Sequence, residues 1–400
     1  MSTVDHGRRI DAGHELDEDL ARVRRCLEGV LGIPATEGNH IDVLRNGDEI
    51  FPALFDAIDG AERTIDFLTF VYWEGEVGTE LAAHLCARAK AGVRVRILLD
   101  GLGARSIDRA VIDDMDGAGV DVQWFRPLRR LRPNEVNHRT HRKVLVVDEA
   151  VAFTGGVGIA DLWLGDARDE NEWRDTHFRV RGPAVDGLRA AFLDNWAENN
   201  PELFSDADRF PDQPRAGDSV VQCVRSASET GWSDVDNLFR TLLQLARRRV
   251  RIATAYFVPD EELCRRLIDA RERGVDIEIL VPGPHTDKRF VQLAGERSYQ
   301  ELAEAGVAIW TYQPTMLHAK VMTVDGFVSN IGSANLNPRS VAWDEEVNLV
   351  ALDPELTALL DGQFDEDLER SERVELDDWE NRALFRRLGE ALVRPAHRWF

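Results

Sequence analysis

Four hundred residues, 44% of them apolar, can bury a substantial core and fill two or three domains, which excludes a disordered chain or a small disulfide scaffold. The 49 basic residues are outweighed by 72 acidic ones, and a net charge of −23 is opposite to that of a chain that coats nucleic acid, so any anionic partner must be met locally. Cys26, Cys86, Cys223 and Cys264 stand alone with no zinc-ligand spacing, no run reaches the eighteen or so apolar residues of a spanning helix, and residues 1–13 lack a signal-peptide core. The expectation is a cytoplasmic chain with reduced thiols, soluble or peripheral on the inner face of the cell membrane.

In chain order, residues 1–43 read as a charged, mostly helical leader with no counterpart elsewhere in the sequence. Residues 44–205 begin an alternating β/α unit: a strand over Thr64–Tyr72, a helix over Thr79–Lys90, a glycine turn, then the strand within Val93–Asp100. A polar, proline-bearing stretch over 206–218 reads as a linker. Residues 219–360 restate the first unit, with a strand over Val250–Val258, a helix over Glu261–Arg273 and a strand after Gly274. Ala91-Gly-Val-Arg-Val-Arg-Ile-Leu-Leu-Asp-Gly101 matches Arg273-Gly-Val-Asp-Ile-Glu-Ile-Leu-Val-Pro-Gly283, and Gly119-Val120 matches Gly306-Val307. Residues 361–400 are first acidic and then basic. From Asn381 to Phe400 five arginines face Glu390 alone, with Leu384, Phe385, Leu388, Ala391 and Leu392 at helical spacing, as in a helix lying on an anionic bilayer or docked on the acidic stretch before it.

The repeat contains the chemistry. His141-Arg-Lys143 is followed by Asp148 and by the Gly155-Gly156 turn, and His318-Ala-Lys320 by Asp325 and by Gly332-Ser333 and Asn335, every equivalent pair 177 positions apart. At this chain's residue frequencies chance predicts about 0.02 such HxKx4D matches, so two are not accidental. Only four lysines accompany 45 arginines, and two of the four sit in these motifs, where a compact ammonium suits a phosphate in a tight pocket. Strand alternation predicts that His and Lys of each motif share a face. One imidazole can attack phosphorus, the other can protonate the leaving oxygen, and the lysines can neutralise the non-bridging oxygens, with no metal or cofactor required. The carboxylates that open the later strands, Asp175 and Glu346, lie 171 apart and are expected to orient the imidazoles. Asp148 and Asp325, the motif acids, are counted with the catalytic set and read as fixing the turn that follows them. Gly155, Gly156, Gly332 and Ser333 read as turns that let the backbone approach a phosphate closely.

These motifs resemble those of the phospholipase D superfamily, over about Asp42 to Asp353. Within it, Tyr256-Phe-Val-Pro-Asp260, Pro282-Gly-Pro-His-Thr-Asp287, Leu317-His-Ala-Lys320, Asn335-Leu-Asn-Pro-Arg-Ser340, Phe153-Thr-Gly-Gly156, Ile159-Ala-Asp161 and Trp173-Arg-Asp-Thr-His177 are similar to the bacterial cardiolipin synthase branch. The resemblance implies an α/β fold of two tandem phospholipase D-like domains, each a mixed sheet flanked by helices, related by a pseudo-twofold with the active site at their interface. It implies phosphatidyl transfer between phospholipids such as phosphatidylglycerol through a phosphohistidine, with His141 as nucleophile and His318 as general acid. Gly158 stands where the family has Asn, Asn337 where Asp is common and Asp344 where Asn is common.

Hydrolysis of a phosphodiester, lipid or less readily nucleic acid, would use the same histidines with water as acceptor. Arg126, Arg129, Arg130, Arg132, Arg139, Arg142 and Lys143 form a basic run leading into the first motif, and read as an island that would attract an anionic phospholipid surface or equally a nucleic-acid backbone. No obligate nucleic acid is expected, and the oligomeric state is left open. His138 with His141 spells HxxH, but not at helical i,i+4 spacing, so it is not read as a metal site. His84, His177 and His397 read as packing or surface residues, and His285 as a supporting residue on a substrate loop.

Overall fold

The structure, a computed structural model, describes residues 3–127, 137–198, 210–226 and 233–375. In chain order the elements are α1 (Thr3–Leu31), β1 (Thr36–Arg45), α2 (Asn46–Asp59), β2 (Thr64–Thr69), α3 (Glu76–Lys90), β3 (Arg94–Asp100), α4 (Arg109–Ala118), β4 (Asp121–Phe125), β5 (Val144–Val147), β6 (Val151–Gly155), β7 (Thr176–Arg181) and α5 (Ala184–Ala197). The second half follows with β8 (Ser219–Arg225), α6 (Asp234–Leu245), β9 (Arg249–Thr254), α7 (Glu261–Glu272), β10 (Asp276–Pro282), α8 (Arg289–Glu296), α9 (Tyr299–Glu304), β11 (Ala308–Tyr312), β12 (Lys320–Val324), β13 (Val328–Gly332), α10 (Pro338–Ala342), β14 (Val347–Leu352), α11 (Pro354–Leu368) and β15 (Ser371–Arg373).

The fifteen strands of the described residues join one sheet in the order β15-β11-β10-β9-β12-β13-β14-β8-β1-β7-β6-β5-β2-β3-β4. The order is a near palindrome about the β8–β1 junction. On one side β2, β3 and β4 run parallel and β5, β6, β7 and β1 add antiparallel strands; on the other β9, β10 and β11 repeat the parallel part and β12, β13, β14 and β8 the antiparallel part. The parallel strands need helical crossovers, and α3 and α7 supply them. Asp260 caps α7 by accepting from the Leu263 amide, and Gly119 ends α4 at φ +90, a left-handed turn that glycine adopts at low cost. β2 and β14 are buried at every residue between two helical layers, and the one buried charge of β2, Asp66, is met by Arg96.

Each half has its own core on one face, Phe51, Leu54, Leu81 and Leu85 packing on Ile65 and Ile97 in the first, Leu238, Leu242 and Leu267 on Ile252 and Ile279 in the second. The opposite face is continuous across the junction. There α5 (Leu188, Phe192, Trp196) and α11 (Leu356, Leu360) cover β5, β7, β8, β13 and β14 together, and this shared layer fixes one half against the other.

Two boundaries differ from the sequence reading. The leader is helical as α1, but Thr36 to Val43 begin β1, which sits mid-sheet and is the counterpart of β8. Interrupted by Gly38 at φ +88, this stretch lacks the regular alternation that marks a strand. The division at residue 360 falls inside α11, whose Asp361 and Asp367 face inward onto arginines of the sheet and so read as an acidic tail in sequence. Residues 199–205 at the end of the expected first domain, 206–209 of the expected linker, and 376–400 with the expected basic C-terminal helix lie outside the described residues.

Candidate active site

The two motif histidines lie just before strands rather than within them: β5 begins at Val144 and β12 at Lys320. Two short parallel bridges hold them, Thr140 with Glu345 and Leu317 with Arg174, so each motif is stitched to the other half of the chain. The His141 amide donates to the Glu345 carbonyl at 2.9 Å, and the His318 amide to the Arg174 carbonyl at 2.7 Å. The residue after each of those carbonyls is the orienting carboxylate. The expected orienting residues are therefore observed, but exchanged between halves: His141 Nδ1 meets Glu346 Oε1 at 2.9 Å, and His318 Nδ1 meets Asp175 Oδ2 at 2.7 Å. Both pairings engage Nδ1 and turn Nε2 away from the carboxylate; at His318, Lys320 Nζ lies 3.2 Å from Nε2.

Both lysines stay beside their histidines. Lys143 Nζ donates to the His141 carbonyl at 2.7 Å and lies 5.7 Å from the centre of the Phe70 ring; Lys320 Nζ lies 2.9 Å from His318 Nδ1. Burial pushes His141 down to about 4 and His318 to about 3, with the neighbouring lysines adding to the effect and the carboxylates opposing it. Both imidazoles are neutral at physiological pH. Burial likewise lowers Lys143 to about 7 and Lys320 to about 8, each drawn back up by Glu346 and Asp175. For the carboxylates burial acts upward, but Lys320 and His318 hold Asp175 below its ordinary value, and His141, Lys143 and Ser333 do the same for Glu346. An anion entering between the lysines would compensate the positive charge that the interior disfavours.

The supporting turns serve the carboxylates. Ser333 Oγ donates to Glu346, while the equivalent position, Gly156, has no room for a side chain: a Cβ there would lie 2.2 Å from Asp175 Oδ1. Trp163, in a 3-10 turn (Asp161–Trp163), supplies the missing donor through Nε1 at 2.9 Å from Asp175 Oδ2. This indole lies outside the repeated motif, so internal symmetry does not nominate it. Gly155 and Gly332 have φ of +151 and +153, and a Cβ on either would collide with the adjacent strand, at His177 or at the Val347 carbonyl. In the structure these glycines allow close packing of β6 on β7 and of β13 on β14.

Asp148 and Asp325 do not reach the histidines. They sit at the far ends of β5 and β12, at positive φ, and accept backbone N–H groups at the entrance to the neighbouring strand: Glu62, Arg63 and Thr64 for Asp148, Arg247, Arg248 and Arg249 for Asp325. They tie a preceding loop rather than the following turn, and their part is positioning. Gly158 also has a physical reason. A Cβ there would meet Val71 Cβ at 2.7 Å and the Trp163 ring at 3.3 Å, so the indole that braces Asp175 occupies the space an asparagine would need.

A cavity of about 290 Å³ opens beside His141 and Asn335, walled by Phe70, Leu102, Tyr256, Phe290, Arg339 and Asp344, with Lys288 at its edge. His318 lies deeper, its ring 5.2 Å from that of Trp163, 5.4 Å from Trp173 and 6.3 Å from Tyr256. The basic run is not a surface island where it is described. Arg139 is buried on Asp100, Arg142 is buried against the carbonyls of Ala191, Ser226 and Glu346, and Arg126 pairs with Glu198 and Glu345; Arg129, Arg130 and Arg132 lie outside the described residues. Spacing alone could not distinguish these internal cations from solvated ones. His138 packs on Trp343, His84 pairs with Asp59, His177 is buried behind Gly155, and His285 pairs with Glu170 rather than with the site; His397 lies outside the described residues.

Comparison with known proteins places this geometry in context. Residues 54–172 and 239–368 match the family described as cardiolipin synthase, PLD-like domain. The chain is 33% identical over 393 residues to cardiolipin synthase 2 of Bacillus anthracis, covering 98% of this chain and 76% of that protein. It is 33% identical over 364 residues to cardiolipin synthase of Geobacillus kaustophilus, covering 90% and 72%. Among solved structures, phosphatidylserine synthase of Haemophilus influenzae superposes with a TM-score of 0.72 at 16% identity, over 94% of this chain and 97% of that one. This likeness concerns the fold.

Proposed function

The chain belongs to the cardiolipin synthase, phospholipase D-like family, and on that premise we propose that it is a phosphatidyltransferase working in two steps through a phosphohistidine on His141. The observation that carries the reading is the pair of crossed imidazole–carboxylate contacts through Nδ1, with both buried lysines within electrostatic reach of both imidazoles. In the first step His141 Nε2 attacks phosphorus, the bond from phosphorus to the leaving alcohol breaks, and the proton on His318 Nε2 goes to the departing oxygen. The phosphodiester brings the negative charge that lets His318 hold this proton in a site that otherwise keeps it neutral. In the second step an acceptor hydroxyl gives its proton to His318 while its oxygen attacks phosphorus, and the P–N bond breaks to restore His141. Lys143 and Lys320 neutralise the non-bridging oxygens throughout, and no step calls for an ion or a cofactor.

The substrates are anionic phospholipids met at the inner face of the cell membrane. Among the described residues no helix is long and apolar enough to cross a bilayer. The cavity edge carries Phe290, 46% exposed, next to the exposed Lys288 and Arg289, a pattern that suits the headgroup boundary of an anionic surface. Incubation with phosphatidylglycerol vesicles and mass analysis of the lipids tests the reading. Cardiolipin with released glycerol is the expected outcome, whereas phosphatidic acid alone would make water the acceptor and replace transfer by hydrolysis.

A further inference from the structure

One wall of the cavity beside His141 is a short loop from Asn335 to Asp344, closed on itself by side-chain contacts. Ser340 Oγ accepts from the Asn335 amide at 3.2 Å, and Asn337 Oδ1 accepts from the Ser340 amide at 2.9 Å to cap α10. Arg339 Nε donates to Asp344 Oδ2 at 3.0 Å while the Asp344 amide donates back to the Arg339 carbonyl at 2.9 Å. This reciprocal clasp fixes the Asp344 side chain, which is only 6% exposed, against the cavity.

Two buried acceptors of the loop stand outside these contacts. Asp344 Oδ1 and Asn335 Oδ1 are buried and have no hydrogen-bond partner among the described residues, and both side chains line the cavity beside His141. A buried acceptor without a donor costs free energy comparable to a lost hydrogen bond, so a pair of them on one wall calls for a ligand that brings donors. The transferred phosphate is not that ligand for the Asn335 carbonyl or for an ionised Asp344, because its oxygens have no hydrogen to give. An ammonium is a poor fit as well, since Arg339 already meets the charge of Asp344. Hydroxyl groups supply the missing donors without adding charge.

We infer that Asp344, together with Asn335, binds the hydroxyls of a polyol alcohol and so selects the acceptor by its headgroup. The inference rests on the transfer reading above and deepens it by naming the residue that reads the acceptor. Burial pushes Asp344 up to about 7 against the pull of Arg339, which is the condition under which a carboxyl gains most from an added hydrogen-bonding partner. A site built to bond a hydroxyl discriminates strongly against the analogue that lacks it, because its own polar atoms are then left unpaired.

The test uses the full chain on phosphatidylglycerol vesicles with glycerol and 1-propanol as competing soluble acceptors, and counts phosphatidyl-glycerol exchange by isotope label, phosphatidyl-propanol and phosphatidic acid by mass. Wild type is expected to favour glycerol over 1-propanol by about tenfold or more per hydroxyl concentration. Asp344→Ala is expected to bring that ratio close to one, and Asp344→Asn, which keeps one carbonyl oxygen, to give an intermediate ratio. The ratio does not depend on how much of a variant is folded, so partial unfolding leaves it readable. Equal use of the two alcohols by wild type, or a wild-type ratio in both variants, would overturn the inference. Consumption of the donor lipid is scored separately: if wild type releases only phosphatidic acid whatever alcohol is present, it is the transfer reading that fails.

Discussion

His141 and His318 hold the same place in the repeat and live in different surroundings. His141 lies at the wall of the cavity with its side chain 12% exposed, touched by the edge of Phe70, and its carboxylate is braced by a serine hydroxyl. His318 is enclosed by Trp163, Trp173 and Tyr256, and its carboxylate is braced by an indole. Duplication has preserved the backbone frame, down to the paired bridges and amide contacts, while the side chains around each imidazole have diverged. One histidine is placed to meet a substrate entering from the cavity. The other is shut away from water among aromatic rings, where burial holds its imidazole neutral.

The largest effect should come from breaking that division of labour. His141→Ala and His318→Ala should each lower turnover of a natural phospholipid by about a thousandfold or more. With a donor whose leaving group is p-nitrophenol, which departs without a proton, His318→Ala should recover much of its first-step rate and His141→Ala none. Recovery by His141→Ala instead would reverse the proposed roles.

Next in size is the crossing of the carboxylates. Asp175→Asn should damage the step served by His318, although the two lie 143 residues apart in sequence, and Glu346→Gln the step served by His141; losses of about 10²- to 10⁴-fold are expected by analogy with the orienting acid of hydrolytic triads. Gly156→Ala should imitate Asp175→Asn, because the added Cβ would displace the Asp175 carboxylate. Near-normal turnover in Gly156→Ala, with an unchanged melting temperature, would show that the close packing there has no bearing on the chemistry.

Much of this was legible in the sequence because it is periodic or repeated. The fixed separation of the two motifs exposed His141, Lys143, His318 and Lys320, and the strands that open at Asp175 and Glu346 exposed the carboxylates. What stayed hidden depends on contacts between distant segments. The exchange of carboxylates between halves follows from two bridges of one residue each, for which local spacing carries no signal. Trp163 and Asp344 lie in loops that have drifted from the repeat, so symmetry could not nominate them as parts of the site. The burial of Arg139 and Arg142 reverses the solvated reading of a charge run, since an arginine on an internal carboxylate and one on a surface look alike in sequence. β1 escaped because its glycine interruption broke the alternation.

A third prediction concerns the lysines. Both are pushed below their ordinary value of 10.5 by burial, Lys143 to about 7 and Lys320 to about 8, so the free protein loses the charge that neutralises a phosphate as pH rises through that range. The kcat/KM should therefore fall from pH 7 to 9, and Lys143→Arg or Lys320→Arg, where active, should carry the limb upward, a guanidinium keeping its proton. Stability should move the other way. Between the folded and unfolded values the unfolded chain binds more protons than the folded one, so these two groups make unfolding less favourable as pH rises. Chemical denaturation of wild type and of the double Lys→Met variant at pH 7 and 9 isolates the contribution; a wild-type slope equal to that of the variant would remove these lysines as its source.

The smallest effect separates the two braces. Ser333→Ala removes one hydrogen bond from Glu346 and Trp163→Phe one from Asp175, and since hydrogen bonds to charged groups are worth about 1.5–3 kcal/mol, each should cost roughly ten- to a hundredfold where that bond positions the imidazole. The braces should not be exchangeable. Ser333→Gly leaves Glu346 in place with one donor fewer and should resemble Ser333→Ala, whereas Gly156→Ser forces a side chain into the space of Asp175 and should be far worse, even though it copies the residue found at the equivalent position. If Gly156→Ser were as active as wild type in Trp163→Phe background and folded as well, the hydroxyl would have replaced the indole, and the divergence of the two halves would be a matter of history rather than of packing.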